Sequence, residues 1–395
     1  MRFERSFLSA RHLWSSPFVR WQGRLADVSS LDLAVAVTGD ALRRLDFDPG
    51  RARQIVLGMT IPQPRSFYAA PWIAARLGMA GIGGPHIAQA CATSVACVVA
   101  AAQSVEGGDE DPHLVVTTDR TSNGPLLVYP RTKGMAGAPS TEHWVLDSFA
   151  SDPWTGESML CTAEAVARDG AMSREAVDAL TLLRFAQYQA ALADDRAFQR
   201  RWMQPVVIAQ GKGRLVVEAD EGVHPYTAEG LASLEPAHKG GVTTFGSQTH
   251  PADGCAGALV AGSAAARELA AGDGTVRLLS AASARAEKAR MPKAAALAAQ
   301  RALVDAGIRA DQLACVTTHN PFAVNDIWLG QQTGLALELM NPYGCSLIFG
   351  HPQAPTGLRS IVELVHALRE RGGGVGLFTG CAAGDTGAAL VLRVD

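Results

Sequence analysis

The chain has 395 residues, 48% of them hydrophobic and 18% charged, with 35 basic against 38 acidic side chains and a formal net charge of −3. At about 150 residues per domain it holds two or three domains around a large core, and its balance excludes a polybasic nucleic-acid binder and a disordered chain. Seven cysteines, at 91, 97, 161, 255, 315, 345 and 381, form no C-x-x-C pair, which argues for a reactive thiol in a reducing compartment rather than a disulfide framework or a zinc ribbon.

The first 25 residues are rich in Arg and Ser, as transit peptides are, but Glu4, Trp14, Pro17 and Trp21 break that pattern. Residues 30–45 read as a helix, with Leu31, Val35, Leu42 and Leu45 at helical spacing behind a Ser29 or Ser30 cap. An apolar strand follows at Ile55-Val56-Leu57. Cys91 then opens a long Ala/Val helix to about Ser104, and Leu114-Val115-Val116-Thr117 reads as the next strand. The stretch between His86 and Glu106 is free of charge, yet Gln89, Thr93, Ser94, Gln103 and Ser104 make it a buried helix rather than a membrane span.

Residues 120–250 have another texture, rich at first in Pro, Gly, Thr and Trp. A helix from about Ser173 to Ala193 follows, capped by Ser173 with Glu175 in its first turn. The earlier order of elements then returns. Lys293–Ala306 reads as a helix closed by Gly307, followed by the strand Cys315–Thr318. His351 stands before a helix carrying Leu358, Ile361, Val365 and Leu368, and the strand Val375–Phe378 comes after Gly372-Gly373-Gly374. Ile55 and Cys315, Cys91 and His351, and Val115 and Val375 are each 260 positions apart. Two copies of one αβ unit are therefore expected, residues 1–119 and 251–395, with 120–250 as an inserted, mainly helical lobe.

Cys91 sits where a loop enters a helix, where free amides and the positive dipole end can lower a thiol's pKa. The same position suits a small buried apolar residue. His351, at the matching place of the second copy, reads as a thiol's proton acceptor or as a capping histidine, with Pro352 expected in the first helical turn. A pseudo-twofold arrangement would bring the two together, with Cys381 and His319 opening at the same end.

Cys91-Ala92-Thr93-Ser94, His319-Asn320-Pro321-Phe322, Gly350-His351-Pro352 and Cys381-Ala382-Ala383 resemble, in order and spacing, the four active-site blocks of the thiolase superfamily. Ser15-Ser16-Pro17-Phe18, Met159, Thr162-Ala163-Glu164 and Ala252-Asp253-Gly254 extend the resemblance over nearly the whole chain. It implies a duplicated, layered αβαβα core with an inserted loop domain, and thiolysis of a 3-ketoacyl-CoA, or the reverse Claisen condensation, through an acyl group on Cys91. In that scheme His351 activates Cys91, Cys381 is acid and base at the α-carbon, and the backbone N–H groups of Cys91 and Ala383 form one oxyanion hole. His319 and His351 contribute to a second hole, while Met159 and Phe322 line the substrate. Coenzyme A is substrate and product, with no permanent cofactor and no metal.

The resemblance further implies a cytoplasmic homodimer or dimer of dimers acting on acyl-CoA thioesters, away from nucleic acid and membrane, with an accessory protein partner as an option. Three departures stand out. His319 replaces the usual Asn, as in the sterol-carrier-protein type; Asn320 replaces Glu ahead of Pro321; and Ala383 replaces Gly. Pro321 and Ala383 motivate the alternative of a thiolase-like acyl-CoA-binding subunit with little activity alone. A decarboxylating ketoacyl synthase fits less well because of Cys381. The CoA site is poorly marked: Arg168, Arg174, Arg184, Arg200, Arg201 and Lys212 of the lobe are of the type that binds phosphate, but each reads first as an ordinary solvated charge.

Overall fold

A computed structural model describes residues 1–122, 124–131 and 137–395. Its framework, in chain order, is β1 (Ser6–Ser15), α1 (Ser30–Arg44), β2 (Gln54–Gly58), α2 (Thr93–Glu106), β3 (His113–Arg120), α3 (Met159–Asp169) and α4 (Arg174–Ala191). There follow β4 (Ala252–Gly262), β5 (Val276–Arg285), α5 (Lys293–Ala306), β6 (Leu313–His319), α6 (Ala323–Thr333), α7 (Gln353–Glu370), β7 (Gly374–Ala382) and β8 (Thr386–Val394). Helix ends fall where the expected caps place them. The Ser29 side chain accepts from the Leu31 N–H, Ser173 accepts from that of Ala176, and Gly307 closes α5 at φ 69°.

The main strands run β6-β7-β8-β5-β1-β4-β3-β2, with the two-residue strand His86–Ile87 beyond β2. Read outward from the middle, β1, β4, β3, β2 on one side match β5, β8, β7, β6 on the other. The outer pairs β2–β3 and β6–β7 are parallel, and their inner neighbours are antiparallel. The halves join where Phe7 pairs with Arg277 and Leu8 with Val276, a pairing that residues 1–3 extend along β5 to Ala281. That seam lets the half-sheets face each other across α2 and α7, while α1 covers β3 and β4 and α5 covers β5, β7 and β8. The result is the expected five-layered α/β core.

α7 is the middle of the molecule: every residue from Gln353 to Leu368 is buried. α2 and α7 touch because Gly357 has no side chain, since a Cβ there would lie 3.0 Å from that of Ser94. At this contact the Ser94 hydroxyl donates to the Ala354 carbonyl, the residue 260 positions later.

Two features differ from the sequence reading. The segment from 251 begins with β4, and β4 lies among the strands of the first copy, between β1 and β3. The inserted lobe, besides α3 and α4, holds two hairpins, Leu126–Tyr129 with Ser140–His143 and Val206–Gln210 with Gly213–Val217. Val206, Leu215 and Val217 of the second hairpin join the same buried cluster as α1.

Candidate active site

The backbone around residue 90 sets the first side chain. Ala90 adopts φ 45°, a conformation costly for a residue with a Cβ, and Gln89 bridges to Cys91. This sharp turn ends β-type chain and places Cys91 ahead of α2, whose own cap is Ala92. In the second copy Pro352 is the cap of α7 rather than a first-turn residue, and His351 stands just outside it. The two copies thereby present Cys91 and His351 to each other, with Sγ 3.0 Å from Nε2.

The hydroxyl of Thr356 donates to the Pro352 carbonyl at 3.1 Å and lies 2.7 Å from His351 Nδ1. The Cys91 thiol needs an acceptor for its proton and Nε2 is the atom within reach, so His351 carries its own proton on Nδ1 and donates it to Thr356 Oγ1, whose hydroxyl serves Pro352. Burial, and after it the neighbouring His319, push the His351 pKa well below the ordinary 6.5, so the ring is neutral. The Cys91 thiol is also displaced, opposite to the helix-end expectation. Burial raises it from 9.0 to about 12, against N–H donors from Ala383 and from Cys91 itself that act to lower it. Helix-end amides do not outweigh desolvation here, so the resting pair is thiol and neutral imidazole.

His319 stacks on His351 with centroids 4.1 Å apart and rings inclined by 28°. It is buried, its Nδ1 lies 2.9 Å from Ser346 Oγ, and its Nε2 has no partner among the described residues. Cys381 is buried too. The Asn325 carboxamide accepts the Phe322 N–H at 3.3 Å through Oδ1, which turns its Nδ2 toward Cys381 Sγ at 3.1 Å. Burial, with Cys91 as the second cause, pushes the Cys381 thiol upward. Cys91 Sγ and one ring nitrogen each of His319 and His351 lie within 4.8 Å of one another. These are zinc-type ligands, but a metal must lie near both imidazole planes, and stacked rings do not offer such a point.

A cavity of about 480 Å³ opens over Cys91, His351 and Ala383. Met159, Phe322 and Pro321 line it; Phe149, Tyr226, Phe245 and Met291 add apolar wall that no motif marked. Gln248, Thr249 and His250 reach it on a loop held by buried Glu164, whose carboxylate accepts the Val242 and Thr243 N–H groups at 3.1 and 2.7 Å. His319 is not among the residues that line it, but one of its ring nitrogens lies within 4.8 Å of Cys91 Sγ. Ala383 is not among the residues of positive φ, which in that turn are Gly384 and Asp385, so its methyl costs no backbone strain.

The six basic residues offered for CoA do not line this cavity. Arg184 is fully buried and paired with Asp326 at 2.8 Å, and Arg174 binds Asp178 and the Leu231 carbonyl. Arg200 and Arg201 pair at the surface with Asp195 and Glu370, while Arg168 and Lys212 are exposed. Asp326 gathers Arg184, Thr318 Oγ1, Asn320 Nδ2 and Asn341 Nδ2. A carboxylate is thus supplied beside Asn320 from the first turn of α6.

The buried titrating groups predict an acid-labile fold. Burial lowers His12 and His250 to about 4 and His319 and His366 to about 3, with His351 also well below 6.5. Unfolded, these five take up protons near pH 6.5, so their contribution is full above that and is lost as pH falls. Asp119 and Asp253, raised to about 6, and Glu363 and Asp385, also raised, act oppositely because the folded chain protonates them first. The five histidines outweigh the four carboxyls, so unfolding takes up protons between pH 6 and 5 and stability falls there. Thermal melts by circular dichroism should show a lower Tm at pH 5 than at 7.5; an equal or higher one contradicts the assignment.

Two family models match the chain: "Thiolase, N-terminal domain" over residues 14–264 and "Thiolase, C-terminal domain" over 273–394. It is 28% identical to acetyl-CoA acetyltransferase of Pseudomonas aeruginosa over 383 residues, 95% of this chain and 96% of that one. It is 27% identical to 3-ketoacyl-CoA thiolase of Photobacterium profundum, covering 96% and 95%. Among solved structures, human mitochondrial 3-ketoacyl-CoA thiolase superposes with a TM-score of 0.90 at 23% identity, covering 99% of this chain and 98% of that one. Bacillus anthracis acetyl-CoA acetyltransferase does so with 0.90 at 24%, covering 100% of both.

Proposed function

The chain belongs to the thiolase family, and from that premise we propose how its residues divide the work of a CoA-dependent acyltransferase acting on 3-ketoacyl-CoA. The observation that carries the assignment is the Cys91–His351 contact of 3.0 Å at the floor of an apolar cavity, with Ala383 N–H turned to the sulfur.

As the substrate's keto carbon approaches, the Cys91 proton passes to His351 Nε2 and Sγ bonds to that carbon. The tetrahedral oxyanion is held by the Cys91 and Ala383 N–H groups, and the oxygen of the enolate formed next is held by His319. Collapse breaks the Cα–Cβ bond and leaves the shortened acyl group on Cys91 and the enolate of acetyl-CoA, which takes the Cys381 proton. Free CoA then gives its thiol proton to Cys381 and its sulfur takes the acyl group, and His351 returns its proton to Cys91. The reverse sequence is the Claisen condensation. CoA is thus a substrate and product.

No helix among the described residues is long and apolar enough to cross a membrane. The partly exposed apolar side chains Ile87, Val99 and Ala100, beside the edge strand His86–Ile87, support a dimer through that face. A cytoplasmic setting fits seven free cysteines.

Thiolysis across a chain-length series of 3-ketoacyl-CoAs, with intact-mass trapping of acyl-Cys91, tests the reading. Wild type should turn over at least one member. Cys381→Ala should still acylate from acetyl-CoA but lose carbon–carbon cleavage by about 10²–10⁴-fold, the usual worth of a positioned acid/base. Binding without turnover or acylation across the series would instead favour an acyl-CoA-binding subunit.

A further inference from the structure

The two stacked imidazoles carry opposite tautomers, and the hydroxyl that decides the second of them belongs to a residue outside every motif. Ser346 is fully buried at the start of the short helix Ser346–Phe349. Its Oγ accepts the Asn320 N–H at 3.3 Å and has one proton to give. Two acceptors compete for it, His319 Nδ1 at 2.9 Å and Asn320 Oδ1 at 3.3 Å. Asn320 Oδ1 already accepts the Leu347 N–H, whereas Nδ1 has no other donor among the described residues. The shorter contact and the unmet acceptor agree, so the proton lies on the line to Nδ1.

A neutral ring that accepts at Nδ1 carries its proton on Nε2. That atom is the buried one without a partner, within the group where a ring nitrogen of His319 lies within 4.8 Å of Cys91 Sγ. An unpaired buried donor in such a place costs free energy at rest and is recovered when a substrate oxygen arrives. The opposite tautomer would aim a lone pair at a developing oxyanion and repel it.

We propose that Ser346 is a positioning residue that holds His319 in its Nε2–H form, making that ring an oxyanion donor while Thr356 keeps the adjacent His351 ring an acceptor. The proposal rests on the thiolase reading of the site. Ser346→Ala should lower kcat by about 10- to 100-fold, the scale on which outer hydrogen-bond partners of functional histidines act, with KM changed less than about threefold. Ser346→Thr, which keeps the hydroxyl, should recover most of the loss. In a His319→Asn background, Ser346→Ala should change kcat by no more than about twofold, because the ring it serves is gone.

Nitrogen-15 NMR of histidine-labelled wild type reads the tautomer without any variant, and should show His319 protonated at Nε2. Protonation at Nδ1, an unchanged kcat in Ser346→Ala, or an equal loss in the His319→Asn background each overturns the proposal. Acylation of wild-type Cys91 is measured alongside. Its absence would remove the thiolase reading itself, while its presence with any of those three results removes the role of Ser346 alone.

Discussion

Replacing Cys91 by serine is expected to lower thiolysis on the order of 10⁴-fold or more, with the melting temperature nearly unchanged. The swap keeps the size of the side chain and its donor toward His351, so little packing is lost. What it removes is a sulfur that can leave as readily as it attacks. At a pKa of about 12 only about one Cys91 in 10⁵ is thiolate at neutral pH without help, so reactivity depends on handing the proton to His351 during attack. A serine proton is harder to remove by several further powers of ten, and its ester does not pass back to a thiol as readily. Stopped-flow thiolysis and intact mass decide the matter. Retention of more than about a hundredth of wild-type activity, or an acyl group appearing on Cys381 instead, would remove Cys91 from the role of nucleophile.

Asp326→Ala is expected to destabilise the fold by about 3–5 kcal/mol, because it leaves the Arg184 guanidinium buried without its counter-ion. Side-chain exposure of the pair is 0% and 1%, so water cannot take the lost partner's place. Thr318, Asn320 and Asn341 lose an acceptor in the same step. The double variant Arg184→Met/Asp326→Leu removes both charges and should recover much of the loss, since an apolar pair avoids desolvation altogether. Denaturant unfolding gives both numbers. A single-variant loss below about 1 kcal/mol would mean that the ion pair contributes little to holding α4 against α6.

The two networks differ in how far the sequence reveals them. Cys91 and His351 could be paired from sequence because duplication leaves a constant 260-residue offset, and the half-sheets repeat one strand order. Nothing comparable marks Arg184 and Asp326. In the sequence Arg184 is one lobe arginine among several, and burial, which decides between a solvated charge and a core ion pair, is set by contacts 142 residues away. β4 was hard to see for another reason. Its run ADGCAGALVAG is poor in β-branched residues, and its glycines are there for neighbours: a Cβ at Gly257 would meet the Trp14 ring at 2.1 Å. The direction of the Cys91 shift was also out of reach, because helix-end stabilisation is written in local sequence while the wall of protein around the sulfur is not.

The contacts of Cys91 with His351 and of Ser94 with Ala354, each between residues 260 apart, mean that the pseudo-twofold axis runs through the reactive pair itself. Two identical subunits meeting on such an axis would face like with like: thiol against thiol, or imidazole against imidazole. Neither match sets a nucleophilic thiol against an imidazole that can take its proton. Joining the halves in one polypeptide lets each side of the axis mutate alone, so the asymmetry that acid–base chemistry needs is encoded by covalent linkage. The same linkage fixes the stoichiometry at one thiol–imidazole pair per chain, however many chains assemble.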